Sequence, residues 1–350
     1  MAKLRLGIYA AVHFLVDLGC ALLLLGRICP DWDPGAAILL YNLFAFAVQM
    51  PVGLLADRLG RCHLFASAGC LLVLLGWMLP PGPAAVAAAG LGNAVFHVGG
   101  GLNALNEGGR RAGPLGLFVS PGAFGIYLGG VLALYKPAEE ALTSGEALLS
   151  TEAFLSLVIC MSLAVAAVVI WRFGRGADNA PLVLPRGDFR LWSAAACLLV
   201  VVIFRSLLGL AADLPWKTDF GWLAVCAVAS GKAAGGYVAD RFGMFPTAMA
   251  SLGLSAICFW GGNHPAAGLG ALFLFNMTMP LTLWAMARMF PGMKGFSFGL
   301  LTFGLFLGFL PVYFDWGSLG PAALAAGTIL SLPLLIFGLR QAERRKNDTD

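Results

Sequence analysis

The chain has 350 residues, of which 59% are hydrophobic and only 11% charged, and its mean hydropathy is +0.85. A soluble domain carries roughly a quarter charged residues, so this composition excludes a water-facing globule and leaves no room for a soluble catalytic domain. The net charge of +4 is small, and no nucleic-acid partner is expected.

A spanning helix uses about 20 apolar residues, and punctuation by Pro, Gly and charge divides the chain into twelve. The first is expected over 6–28. Lys3 and Arg5 in front of it look like the start of a signal peptide. Asp17 interrupts the apolar run, however, and no small-residue cleavage pattern follows, so the helix is read as retained. His13 and Asp17 lie four residues apart on one of its faces. The second helix, 34–56, carries Asn42 and Gln49 and ends in Gly53-Leu54-Leu55-Ala56-Asp57-Arg58-Leu59-Gly60-Arg61. The third is expected at 62–79. Pro80-Pro81-Gly82-Pro83 turns the chain into the fourth, 83–106, which holds Asn93, His97, Gly99, Gly100, Gly101 and Asn103. The fifth and sixth follow at 114–135 and 152–173.

A polar linker, 175–189, separates the first six helices from the second six. Helix seven, 190–211, contains Arg205. Helix eight, 218–239, contains Lys232 and ends in Gly236-Tyr237-Val238-Ala239-Asp240-Arg241-Phe242-Gly243. The rest are expected at 244–262, 266–288 (with Asn276 and Thr278), 296–314 and 319–339. The resulting organisation is an all-α integral membrane protein: a six-helix bundle over 1–174, the linker, a second bundle over 190–340, and a cytoplasmic tail, 341–350.

Seventeen of the 22 Lys and Arg fall on the side that holds the N-terminus. Arg27, Lys136 and Lys217 fall on the other, beside the acids Glu139, Glu140 and Glu146. By the positive-inside rule both termini are cytoplasmic, in the plasma (inner) membrane. The segments ending at Arg61 and Gly243 share a pattern and a place within their halves, with Gly53 and Asp57 matched by Gly236 and Asp240. Parallel six-helix repeats give such an echo. Trp77, Trp216 and Trp316, near helix ends, read as interfacial anchors. The eight cysteines are scattered with no C-x-x-C pair, which argues against a disulfide framework and against a zinc site.

Each ionisable group inside a membrane is a functional candidate, because an unpaired charge there is costly. His13 and Asp17 have the chemistry to bind and relay a proton, since imidazole titrates near neutral pH. A structural pair pinning the first helix is the alternative. Asn93 and His97 share a face and are candidates for substrate contact. Arg205 and Lys232 lean toward the membrane centre from helices that run in opposite directions and suit an anion: Arg grips carboxylate or phosphate bidentately, and Lys supplies a point charge. Arg205 reaching Asp213 is the alternative. Asn276 is a weaker candidate for substrate contact.

The segment from Gly53 to Arg61 resembles the G-x-L-x-D-R-x-G-R-[KR] signature of the major facilitator superfamily, matching at Gly53, Leu55, Asp57, Arg58, Gly60 and Arg61, with Cys62 in the last basic position. The resemblance implies two pseudo-symmetric six-helix bundles, and a contact from Asp57 to the start of the eleventh helix, near Phe296. Gly53, Asp57, Arg58, Gly60, Arg61, Asp240 and Arg241 then act as a latch that is made in one conformation and broken in another; the alternative is that Asp57, Arg58 and Arg61 only anchor a tight cytoplasmic turn. Asn93-Ala94-Val95-Phe96-His97, the glycine-rich run from Phe118 to Gly129, Phe204-Arg205-Ser206, and His13 with Asp17 resemble the fosmidomycin-resistance-type branch.

The expected function is a secondary transporter, not an enzyme. It would move a small anionic or zwitterionic solute by alternating access, coupled to protons, and act as a monomer. No G-x-x-x-x-G-K-[ST] run suggests nucleotide-driven pumping, and no cofactor or resident metal is expected. The alternatives are a divalent-metal carrier using His13, Asp17 and His97, an intramembrane enzyme, and a non-transporting sensor.

Overall fold

The computed structural model describes residues 1–134, 151–176, 181–183 and 188–347. Lys136, Glu139, Glu140, Glu146 and Arg186, and much of the loop and linker that hold them, lie outside the described residues. Among the described residues there are twelve long helices: α1 Ala2–Ile28, α2 Pro34–Leu59, α3 Cys62–Met78, α4 Pro83–Gly108, α5 Gly113–Leu134, α6 Thr151–Phe173, α7 Phe189–Ala211, α8 Lys217–Phe242, α9 Met244–Trp260, α10 Pro265–Met289, α11 Lys294–Tyr313 and α12 Pro321–Asn347. Ten are long and apolar enough to cross a bilayer. The other two, α3 and α9, have 17 residues each, the short end of what spans. They are the third helix of each half, so even the exception repeats.

Local chemistry sets the ends. Asp33 caps α2 by accepting from the Ala36 amide at 2.6 Å, with Pro34 in the first turn. Gly60 ends α2 and Gly243 ends α8, both at positive φ (69° and 97°), where a side chain is disfavoured. One end departs from expectation. Helix α12 does not stop at 339 but runs to Asn347, because Gln341-Ala342-Glu343-Arg344 are strong helix formers and Ala342 is fully buried. Much of the expected tail is therefore helix.

Helix α10 is also not continuous. It breaks at Met277 between Pro265–Asn276 and Thr278–Met289. Pro280 has no N–H for the Asn276 carbonyl four residues back, and its ring crowds that carbonyl. Pro121 likewise follows the break in α5 at Ser120.

The packing obeys a shift of six. Helix α1 packs on α5 and α6 as α7 packs on α11 and α12, and α3 packs on α4 and α6 as α9 packs on α10 and α12. Between the halves, α2 meets α11 and α8 meets α5; each contact is the image of the other. Both depend on a bare glycine. A Cβ on Gly53 would strike the Gly295 backbone, and one on Gly236 would strike the Ala112 and Gly113 backbone. Without a hydrophobic drive between helices in lipid, such close approach is what holds them.

The tryptophans correct one expectation. Trp77 and Trp216 are buried and donate to the carbonyls of Gly19 (3.2 Å) and Gly262 (2.8 Å), so they pin helices together. Trp316 alone of the three is exposed.

Candidate functional site

Three polar constellations stand out, the third of them directly between the halves. The first surrounds Asp17 in α1. Its Oδ2 is 3.1 Å from His13 Nε2 and its Oδ1 is 3.7 Å from His97 Nε2 of α4. Asn93, one turn before His97, donates to Asp17 Oδ1 at 2.9 Å. The two imidazoles meet Nε2 to Nε2 at 2.8 Å. Each Nδ1 faces a backbone carbonyl, His13 that of Phe118 (2.6 Å) and His97 that of Asn93 (2.9 Å). A carbonyl only accepts, so each Nδ1 carries a hydrogen, and in the neutral ring each Nε2 is a bare lone pair. Two imidazole nitrogens, close enough to share one hydrogen, and a carboxylate therefore face one another. Such a group needs a positive occupant, because unpaired buried acceptors and charge are costly.

The second constellation is a cavity of about 310 Å³ lined mainly by α7, α8 and α10, with Ala123 of α5 across from them. Arg205, Lys232 and Asn276 supply its polar wall; Phe259, Phe275 and Met279 supply much of the apolar one. Arg205 is held by the break in α10. Its Nη1 donates to the Phe275 carbonyl at 3.1 Å, its Nη2 to Thr278 Oγ1, and the guanidinium lies over the Phe275 ring. Its Nε, though buried, has no partner among the described residues. It does not reach Asp213, whose side-chain partner is Ser318. Lys232 makes no hydrogen bond or ion pair among the described residues, but is close enough for its charge to act on Asp17 and His97. Arg205 and Lys232 thus line one cavity, with no carboxylate bound to either among the described residues. Asn276 donates its amide back to Leu272 O. Lys217, expected only in an outer loop, also lines the cavity.

The third constellation closes one end. Asp57 accepts from the amides of Gly295 (2.7 Å) and Phe296 (2.8 Å), the first turn of α11. Asp240 accepts from the amides of Ala112 (2.7 Å) and Gly113 (2.9 Å), at the start of α5. Each carboxylate sits on the positive end of a helix dipole in the opposite half. Lys294 adds a bond to Asn106 at 3.0 Å, and Trp284 one to the Arg110 carbonyl at 3.0 Å. Arg58, Arg61 and Arg241 are exposed at this end and make no such bond among the described residues; Arg241 lies over the ring of Phe242.

No family model matches the chain, and no curated protein sequence does. Solved structures do. The E. coli fucose:proton symporter FucP matches with a TM-score of 0.68 over 97% of this chain and 99% of its own, at 15% identity. A FucP structure in the outward conformation matches with a TM-score of 0.68 over 96% and 98%, also at 15% identity. The human organic anion transporter MFSD10 matches with a TM-score of 0.67 over 95% and 99%, at 16% identity. The chain has the major facilitator fold. It is a multi-pass membrane protein.

Within this fold the structure regroups the residues that sequence singled out. Asn93 and His97, expected to touch substrate, stand with His13 and Asp17. Arg205, Lys232 and Asn276 stand together in the cavity. The residues that sequence gave no role are Thr278, which anchors Arg205, Gly122, which backs Asp17, and the Phe118 carbonyl. The three glycines after His97 serve packing: Gly99 against α3, Gly100 against the Phe118 ring, and Gly101 against the Phe298 ring of α11.

Proposed function

We propose that the chain is a secondary active transporter that moves a small anionic or zwitterionic solute by alternating access, coupled to protons. The halves 1–174 and 190–340 would be the moving bodies, with both termini cytoplasmic. The short segments shared with the fosmidomycin-resistance-type branch agree with this reading. The observation that carries it is the Lys232 side chain: half-buried in the wall of a cavity that Arg205 also lines, with no counter-charge bound among the described residues. An anionic group completes such a site, and charge-assisted bonds to guanidinium and ammonium are the strong ones. The coupling proton is assigned to the acceptors around Asp17 and His13. A divalent-metal cargo is disfavoured because Arg205 and Lys232 put positive charge on the cavity. An intramembrane enzyme has no use for two matched carboxylate contacts between halves.

The test is uptake into proteoliposomes by purified protein against a panel of organic anions, zwitterions and cations. Uptake should favour anions or zwitterions, and Arg205→Gln and Lys232→Gln should each weaken affinity about tenfold or more, the scale of one lost charge-assisted bond. Asp17→Asn should abolish accumulation under a pH gradient yet leave downhill exchange. Preference for cations, or variants that concentrate substrate as well as wild type, would sink the reading.

A further inference from the structure

The group around Asp17 has the makings of a second kind of site. Two imidazole nitrogens and a carboxylate point at one another, with ligand atoms that all lie within 4.8 Å. We propose that His13, Asp17 and His97 bind one divalent transition-metal ion of the zinc class, through both Nε2 atoms and the Asp17 carboxylate. The binding rests on these atoms alone and stands whether or not the chain transports anything.

Ligand type is the first support. Imidazole suits zinc and its neighbours in the transition series, and two nitrogens with one carboxylate oxygen leave a fourth position for water, as in open zinc sites. The second support is the outer layer. A metal-bound histidine almost always gives its other N–H to a carbonyl or carboxylate, which fixes tautomer and ring direction. Both histidines do so here, to Phe118 and Asn93, and the Asn93 amide fixes the carboxylate. The lone pairs are already turned inward.

Dimensions are the third support. Zinc holds N and O ligands at about 2.0–2.2 Å, which puts tetrahedral ligands roughly 3.4 Å apart. The separations found are 2.8, 3.1 and 3.7 Å, so shifts of about half an ångström would seat the ion. The α5 side is closed by Gly122, where a Cβ would strike Asp17 Oδ2 and His13 Nε2. His97 is the most exposed of the three, its side chain 12% accessible against 5% for His13 and 8% for Asp17. Water and metal would enter past it.

The charged and titratable neighbours set a sign. From α8, Lys232 acts on Asp17 and His97; from α1 and α2, Cys20 and Tyr41 lie near Asp17. Removing the Lys232 charge should therefore strengthen metal binding, whereas removing a ligand should weaken it. A merely structural cluster gives no such opposite responses.

The experiment titrates Zn2+ into metal-stripped, full-length protein in detergent against a chelating indicator, and follows Co2+ by its visible absorption. Wild type should bind one ion per chain. His97→Gln and Asp17→Asn should each weaken binding at least tenfold. His97→Cys, which keeps a ligand, should retain it, and Lys232→Gln should tighten it. A double change at the two remaining histidines, His63→Gln with His264→Gln, should leave it unchanged. Thermal unfolding without metal checks each variant; if His97→Gln does not fold, His97→Cys and Lys232→Gln still decide the matter. No one-to-one site in wild type, undiminished affinity in folded His97→Gln, or loss in the double variant would overturn the proposal. Metal and proton claim the same lone pairs, so Zn2+ should also inhibit pH-driven uptake. Binding without inhibition would keep the metal site and remove the coupling role from Asp17.

Discussion

Gly122 does the work of a wall with no side chain. Its Cα backs directly on Asp17 and His13, and a single methyl would overlap both. Gly122→Ala must therefore push the carboxylate or the imidazole aside. The expected outcome is loss of metal binding and of pH-driven accumulation, with anion affinity at Arg205 and Lys232 within about threefold of wild type, the size of a change below 1 kcal/mol. Gly130→Ala is the control, since a Cβ there meets only Leu25 at 3.7 Å and should change neither. Sequence could place Gly122 in a glycine-rich helix but could not say what it touches. The same holds for His97 and Asn93. Helical phase fixes which residues share a face of α4, but not how α4 is rotated against α1. The Phe118 carbonyl that sets the His13 tautomer is backbone, and no residue type announces it.

Helix limits were far more legible, because Pro, Gly and charge act locally: Pro34 and Pro83 begin helices, and Gly60 and Gly243 end them. The interruption of α10 had its signal too, in Pro280, yet apolar periodicity runs straight through it. Its consequence is functional geometry, since Arg205 is anchored on Phe275 and Thr278 at the break. Pro280→Ala would restore an N–H to the ladder. An interior proline costs a helix about 3 kcal/mol or more, so some of that should return as a higher melting temperature. The straightened helix should at the same time displace Arg205's anchors and weaken anion affinity. Thermal unfolding and substrate titration on the same sample check both. Higher stability with unchanged affinity would mean that the break does not position Arg205.

At the scale of the molecule, the repeat turns one motif into a pair of matched contacts. Gly53 with Asp57 meets the start of α11, and Gly236 with Asp240 meets the start of α5. Both are made at once, so the end that bears them is shut, while the cavity reaches toward Leu210 and Lys217 at the far ends of α7 and α8. Rocking the halves to open the shut end must break the hydrogen bonds that both pairs of amides donate to Asp57 and Asp240. Hydrogen bonds to a charged group contribute about 1.5–3 kcal/mol, so Asp57→Asn should shift the balance between shut and open by about tenfold or more. Asp240 is exposed where Asp57 is buried, so Asp240→Asn should do less, and the double variant should do most. A native reporter lies behind the gate: Lys294 reaches Asn106, and Asn106 in turn contacts the buried Cys62. Opening the end should expose that thiol. Its alkylation rate, read by mass spectrometry of the Cys62 peptide, should rise several-fold in Asp57→Asn and further in the double variant. Alkylation of Cys70, fully buried between helices of one half, should stay slow, which separates gate opening from unfolding. If Cys62 reacts at the wild-type rate in both variants, the carboxylates are anchors for their own turns, and the shut end is held by something else.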